Sequence, residues 1–137
     1  MFKIFGIIYL ILFSFSSIKI DIIQIKFEIS NRAYNETITI NKDEIAIFEF
    51  NRTNNTNTAK TIKLSNRAWH NFICLISNFE KSYPTIIKEN NRKRDYVPEM
   101  RIEILFNNKT IQNYTCDFNL KNNEINKLIS FAHSGTY

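Results

Sequence analysis

Residues 61–79 read TIKLSNRAWHNFICLISNF, and within them the spacing of apolar side chains changes from two to three and four. Ile62 and Leu64 alternate with Thr61 and Lys63, the pattern of a strand that turns one face inward. Trp69, Phe72, Ile73, Ile76 and Phe79 then recur at helical spacing, so Asn66 to Phe79 is expected to form an amphipathic helix. Ser65 stands where its hydroxyl can accept from an orphaned amide of the first turn. Leu64 and Trp69 are placed to close a hydrophobic staple around that start.

Upstream of this switch the chain reads as strands. Ile23, Ile25, Phe27 and Ile29 alternate with Gln24, Lys26, Glu28 and Ser30, and Thr37 to Ile40 and Glu44 to Phe50 continue the theme. The asparagine-rich piece Asn51 to Asn57 reads as a turn, because Asn tolerates left-handed backbone and bonds its own main chain. Downstream, residues 80–99 hold both prolines of the domain, Pro84 and Pro98, and read as a long connection. Ile102, Ile104 and Phe106 then alternate with their neighbours, Asn107-Asn108-Lys109 reads as a hairpin turn, and Tyr114, Cys116 and Phe118 mark the return strand. Ile125, Leu128, Ile129 and Ala132 predict a closing helix within Asn122 to His133. The order predicts an α+β fold, an antiparallel sheet of about four to five strands with two helices packed on one face. The other sheet face would be partly solvated.

The N-terminus reads as an export signal. Met1-Phe2-Lys3 is followed by the apolar run Ile4 to Phe13 and then Ser14-Phe15-Ser16-Ser17. An h-region of about ten residues with a small-residue zone behind it fits a cleaved signal, and a spanning helix would need about 20 apolar residues. Cleavage after Ser16 places serines at both the −3 and −1 positions, giving a signal at 1–16 and a single domain at 17–137. The expected location is therefore periplasmic or secreted, with no stable membrane span in the mature form.

Composition is skewed toward 24 Ile, 19 Asn, 12 Lys and 12 Phe, with two Gly and two Pro, which matches codons rich in A and T. The formal charge of +5 falls to +4 once Lys3 leaves with the signal, and it is spread along the chain. A nucleic-acid binder would concentrate its basic residues on one face. The cluster Arg92-Lys93-Arg94 is flanked by Glu89 and Asp95 and reads as a solvated loop, so no nucleic-acid partner is expected. Asn35, Asn51, Asn54, Asn108 and Asn113 each begin an Asn-x-Thr sequon, which in an exported eukaryotic protein would be a glycan acceptor.

No set of residues prescribes a reaction. His70 and His133 are the only histidines, and pairing either with Cys74 would need a contact that the sequence does not imply. Asp43 and Glu44 are adjacent at a strand start and point to opposite faces. Gly6 and Gly135 cannot form a phosphate cradle, and nothing calls for a metal or cofactor. Cys74 and Cys116 lie in the exported part, where a bridge closing about 43 residues would contribute about 4 kcal/mol in the chain-entropy view. On a helix, however, Cys74 sits about 140° round from Trp69, while Cys116 shares a strand face with Tyr114 and Phe118. A bridge would require the helix to be rotated from this reading.

Tyr34, Tyr83 and Tyr96 fall outside the clear elements and, with Arg92, Lys93 and Arg94, are the candidate contact surface. The alternative is that these aromatics cover the edges of the core.

The stretch TIKLSNRAWHNFICLIS as a Leu-Ser-x-x-x-Trp helix start, with MRIEILFNNKTIQNYTCDF as the following hairpin, resembles small exported bacterial proteins. It is also distantly similar to the emfourin-type inhibitors of thermolysin-like metallopeptidases over about residues 22–132. ISNRAYNE stands where that group has a glycine pair after its first strand, and no site residue is carried over. The resemblance implies a binding domain that engages a peptidase. The function expected is thus a non-enzymatic exported binding domain for a protein partner. A structural or envelope-associated protein and a small exported enzyme are the alternatives.

Overall fold

The computed structural model describes residues 20–89 and 97–136; the export signal read at 1–16 and the candidate contact residues Arg92, Lys93, Arg94 and Tyr96 lie outside them. Four strands come first: β1 (Ile22–Ser30), β2 (Tyr34–Asn41), β3 (Glu44–Asn51) and β4 (Thr56–Lys63). The helix α1 (Asn66–Glu89), the strands β5 (Glu99–Phe106) and β6 (Ile111–Asp117) and the helix α2 (Asn123–Ser134) follow. The strands form one open sheet in the order β4-β3-β2-β1-β5-β6, and every neighbouring pair is antiparallel. The α+β class is as expected, but the sheet has six strands where about four to five were expected. The extra length lies in β4. Its residues are almost all exposed, so no apolar alternation was needed to form it, and threonines supply the extended preference.

Short asparagine turns make this meander possible in a glycine-poor chain. The Asn31 Oδ1 accepts from the amides of Ala33 and Tyr34, and the Asn41 Oδ1 accepts from those of Asp43 and Glu44. Asn51 and Asn108 hold the amides of Thr53 and Thr110 in the same way. Each side chain thus replaces the backbone partner that a reversal removes. Asn122 does the same as the N-cap of α2, accepting from Glu124 and Ile125.

The core lies between one face of the sheet and both helices. Ile25, Phe27 and Ile29 of β1, Ile38 and Ile40 of β2, and Ile102 and Ile104 of β5 are buried on that face. A register shift between Ile22 and Gln24 interrupts the alternation expected at Ile23, which is exposed while Ile22 packs inward. Phe72 of α1 lies against Phe27 and stacks on Phe131 of α2 with ring centroids 4.8 Å apart.

Helix α1 begins as expected, with the Ser65 hydroxyl accepting from the Ala68 amide at 3.1 Å. It does not end at Phe79. The helix runs ten residues further, to Glu89, and passes through Pro84. Proline in a helix interior costs about 3 kcal/mol, but the buried stripe continues through Phe79 to Ile86, with Tyr83 packed beside it. Burial of those side chains offsets the lost hydrogen bond. The first half of the long connection expected at 80–99 is therefore helix.

Helix α2 stops at Gly135, whose φ of 71° is left-handed and whose amide donates to the Phe131 carbonyl. A Cβ there would stand 3.1 Å from Ile62 and 3.3 Å from Leu64. The residue thus ends the helix and lets its terminus sit against β4.

Candidate functional site

With both helices on one side, alternation along each strand assigns the remaining residues to an open face. This face carries Lys26 and Glu28 of β1, Thr37 and Thr39 of β2, and Arg101 and Glu103 of β5. Its charges are interleaved. Lys26 pairs with Glu28, which raises the ammonium pKa, and the Arg101 Nε lies 2.6 Å from the Glu99 carboxylate.

Phe48 departs from this polar pattern. Its cross-strand neighbours are Thr37 on β2 and Ala59 on β4, both too short to cover a phenyl ring. The ring is 47% exposed near the middle of β3. Phe50 lies two residues further along the same face and is half-buried. Arg52 continues the line beyond the strand end, where its Nη2 donates to the Asn35 Oδ1 at 3.0 Å. Beside it lies a depression of about 350 Å³ lined in part by Glu28, Ser30, Thr37 and Arg101. A second depression, of about 500 Å³, shares Ser30 and Arg52 with the first and lies at the end of the sheet.

A separate polar cluster interrupts the helix-covered face. Glu36 occupies a core position on β2 and is 3% exposed. The Nε2 of His133, in the last turn of α2, lies 2.6 Å from its Oε1. This hydrogen bond raises the imidazole pKa against the opposing effect of burial, and the Glu36 and Glu49 charges add to it while Lys60 opposes. Glu49 faces Glu36 across β2–β3 and accepts from the Thr58 hydroxyl on β4. Tyr34, on the same face, has its phenol pushed up by burial and then by both carboxylates. The cluster ties the end of α2 to three strands.

The residues singled out in the sequence separate in space. Cys74 is exposed on α1, whereas Cys116 is buried on the core face of β6, and both thiols are free. The bridge considered between them is therefore corrected: the helix keeps its apolar stripe on the sheet, which turns Cys74 outward. Burial pushes the Cys116 thiol up to about 12. Tyr83 lies within α1, half-buried, and its hydroxyl donates to the Thr115 carbonyl. It packs edge-on against Tyr114, whose own hydroxyl donates to Glu80. His70 is exposed one turn before Cys74 on α1. Among the described residues no group of three or more His, Cys, Asp or Glu is placed to hold a metal ion, and no helix is long and apolar enough to cross a membrane.

Sequence reasoning missed Phe48 and Glu36. Both were legible as parity. Phe48 stands one residue out of phase with Ile45 and Ile47, and Glu36 stands in phase with Ile38 and Ile40. No protein-family model, curated protein or solved structure matches the chain significantly.

Proposed function

We propose that the chain is an exported, non-catalytic binding domain whose partner is another protein, with a peptidase the first candidate. The observation that carries this reading is Phe48, a large ring left half-exposed between Thr37 and Ala59 on the sheet face opposite the two described helices. An aromatic anchor inside a polar rim is the composition of protein interfaces, where a few such rings carry most of the affinity. The similarity to emfourin-type inhibitors supports a peptidase as the partner. The interleaved charges around Phe48 suit a protein surface better than a polyanion, which would require one sign of charge.

Residues 17–137, immobilised and exposed to the extracellular or envelope fraction of the source cells, test this directly. One protein should be retained by the wild-type domain and lost from Phe48→Ala, with the melting temperature of the variant unchanged. Retention of the same proteins by both domains, or of none by the wild type, sinks the reading.

A further inference from the structure

The two edges of the described sheet differ. On β6 the Tyr83 hydroxyl donates to the Thr115 carbonyl and accepts from the Thr115 amide. Helix α1 thus occupies hydrogen-bonding groups that an added strand would need. At the other edge, β4 is bonded along one side only among the described residues. It pairs with β3 in unbroken register from Thr56 to Lys63, and neither proline nor glycine interrupts it. Thr58 and Lys60, on its helix side, are exposed, so neither described helix overhangs the middle of the strand. Residues 1–19 join the described chain at β1 and residues 90–96 lead from α1 to β5. Those two strands are three and four places away from β4 in the sheet.

We infer that β4 pairs antiparallel with β4 of a second copy of this chain, about a two-fold axis at Ala59, joining two sheets into one. The inference goes beyond the partner reading above and does not depend on it. Side-chain alternation limits such pairing to registers that set residues of the same face opposite each other. The two longest pair residues 56–62 about Ala59 and residues 57–63 about Lys60. The second sets Lys60 directly against its own copy, with like charges opposed. The first sets Lys60 against Thr58, whose hydroxyl donates to Glu49 on β3. The long lysine stem of each copy then reaches toward the Glu49 carboxylate of the other. Lys63 falls beyond the overlap, and its neighbour on β3 is Glu44. Edge lysines ordinarily discourage pairing, but in this register neither lysine meets a like charge. At the axis Ala59 meets Ala59, with Phe48 beside it on β3 in each copy. The two Phe48 rings thus share one continuous open face, three strand spacings or about 14 Å apart. A two-fold contact between identical edges is self-complementary and closes at the dimer.

Sedimentation equilibrium of purified residues 17–137 from about 10 µM to about 500 µM tests this, a range suited to an interface of limited area. The wild type should approach the mass of two chains as concentration rises. Ala59→Lys sets two lysines against each other at the axis and should weaken association at least about tenfold. Ala59 is exposed, so at low concentration the variant should melt as the wild type does. Ala59→Glu alone should be weakened in the same way, and an equimolar mixture of the two variants should dimerise again. A wild type of single-chain mass at every concentration overturns the inference, and so does an Ala59→Lys variant that associates like the wild type. A mixture no heavier than its components overturns the axis at Ala59. These masses are read on the domain alone, so they stand or fall independently of what Phe48 captures.

Discussion

His133 holds Glu36 across 97 residues of sequence, its Nε2 lying 2.6 Å from a carboxylate that the sheet and α2 have almost wholly buried. A buried carboxylate without a donor is expensive, whereas one paired to an imidazolium is stabilised. The imidazole pKa is raised, chiefly by this bond. A raised histidine contributes stability that is fully present below its unfolded value of about 6.5 and is lost as pH rises through the folded value. His133→Ala should therefore destabilise the domain by about 1–3 kcal/mol near pH 6. The lower end is expected because the ring is 43% exposed and screened. The loss relative to wild type should shrink toward pH 9. Urea melts of both proteins at the two pH values check this, and an equal loss at both would show that the ring acts through packing alone.

The pair also marks the limit of what the sequence makes legible. Elements with one buried side announce themselves, because burial enforces a period on their apolar residues. Strand β1, the start of α1 and all of α2 are of this kind. The first half of β4 is not, since its residues are exposed and nothing constrains their order, whereas Ile62 and Leu64 make its end readable. Pro84 misleads for a different reason: its local cost argues for a break, but Ile86 has a buried site to fill and tertiary packing wins. Contacts such as His133 with Glu36 depend on where α2 lands over the sheet, and no local pattern encodes that.

The β5–β6 hairpin offers a substitution that should stabilise. The Lys109 amide donates to the Phe106 carbonyl and the Phe106 amide to the Thr110 carbonyl, closing a three-residue loop with Lys109 at φ 65°. A residue with a Cβ is strained there by about 1 kcal/mol, and glycine is not. Lys109→Gly should raise the melting temperature by a few degrees, less the entropy that glycine adds to the unfolded chain. A lower melting temperature would show that the lysine side chain contributes something the turn geometry does not.

The cysteines should differ sharply toward alkylation. Cys74 is exposed, whereas Cys116 is buried and its thiol is pushed up to about 12. Only the thiolate reacts. Iodoacetamide on the native domain near pH 8 should add a single mass increment, at Cys74, and a second only after unfolding. Reductant should leave the intact mass unchanged before treatment. A two-dalton gain on reduction would restore the bridge and require α1 to turn on its axis.

Gly135 is the position at which a single methyl group should do most harm. Its φ of 71° is one that alanine adopts with strain, and the added carbon would meet Ile62 and Leu64 within 3.3 Å. Relief would require those side chains to move, and behind them lies Ile45, which is buried against the same terminus. The alternative is for α2 to lift, which would draw His133 away from Glu36 two residues upstream of the cap. Gly135→Ala should therefore cost about 1–3 kcal/mol, from left-handed strain together with overpacking. Part of that cost should be shared with the ion pair. In the Gly135→Ala background, His133→Ala should destabilise less than it does alone, because the bond it removes is already weakened. Strictly additive losses would mean that the terminus absorbs the methyl group without moving the imidazole.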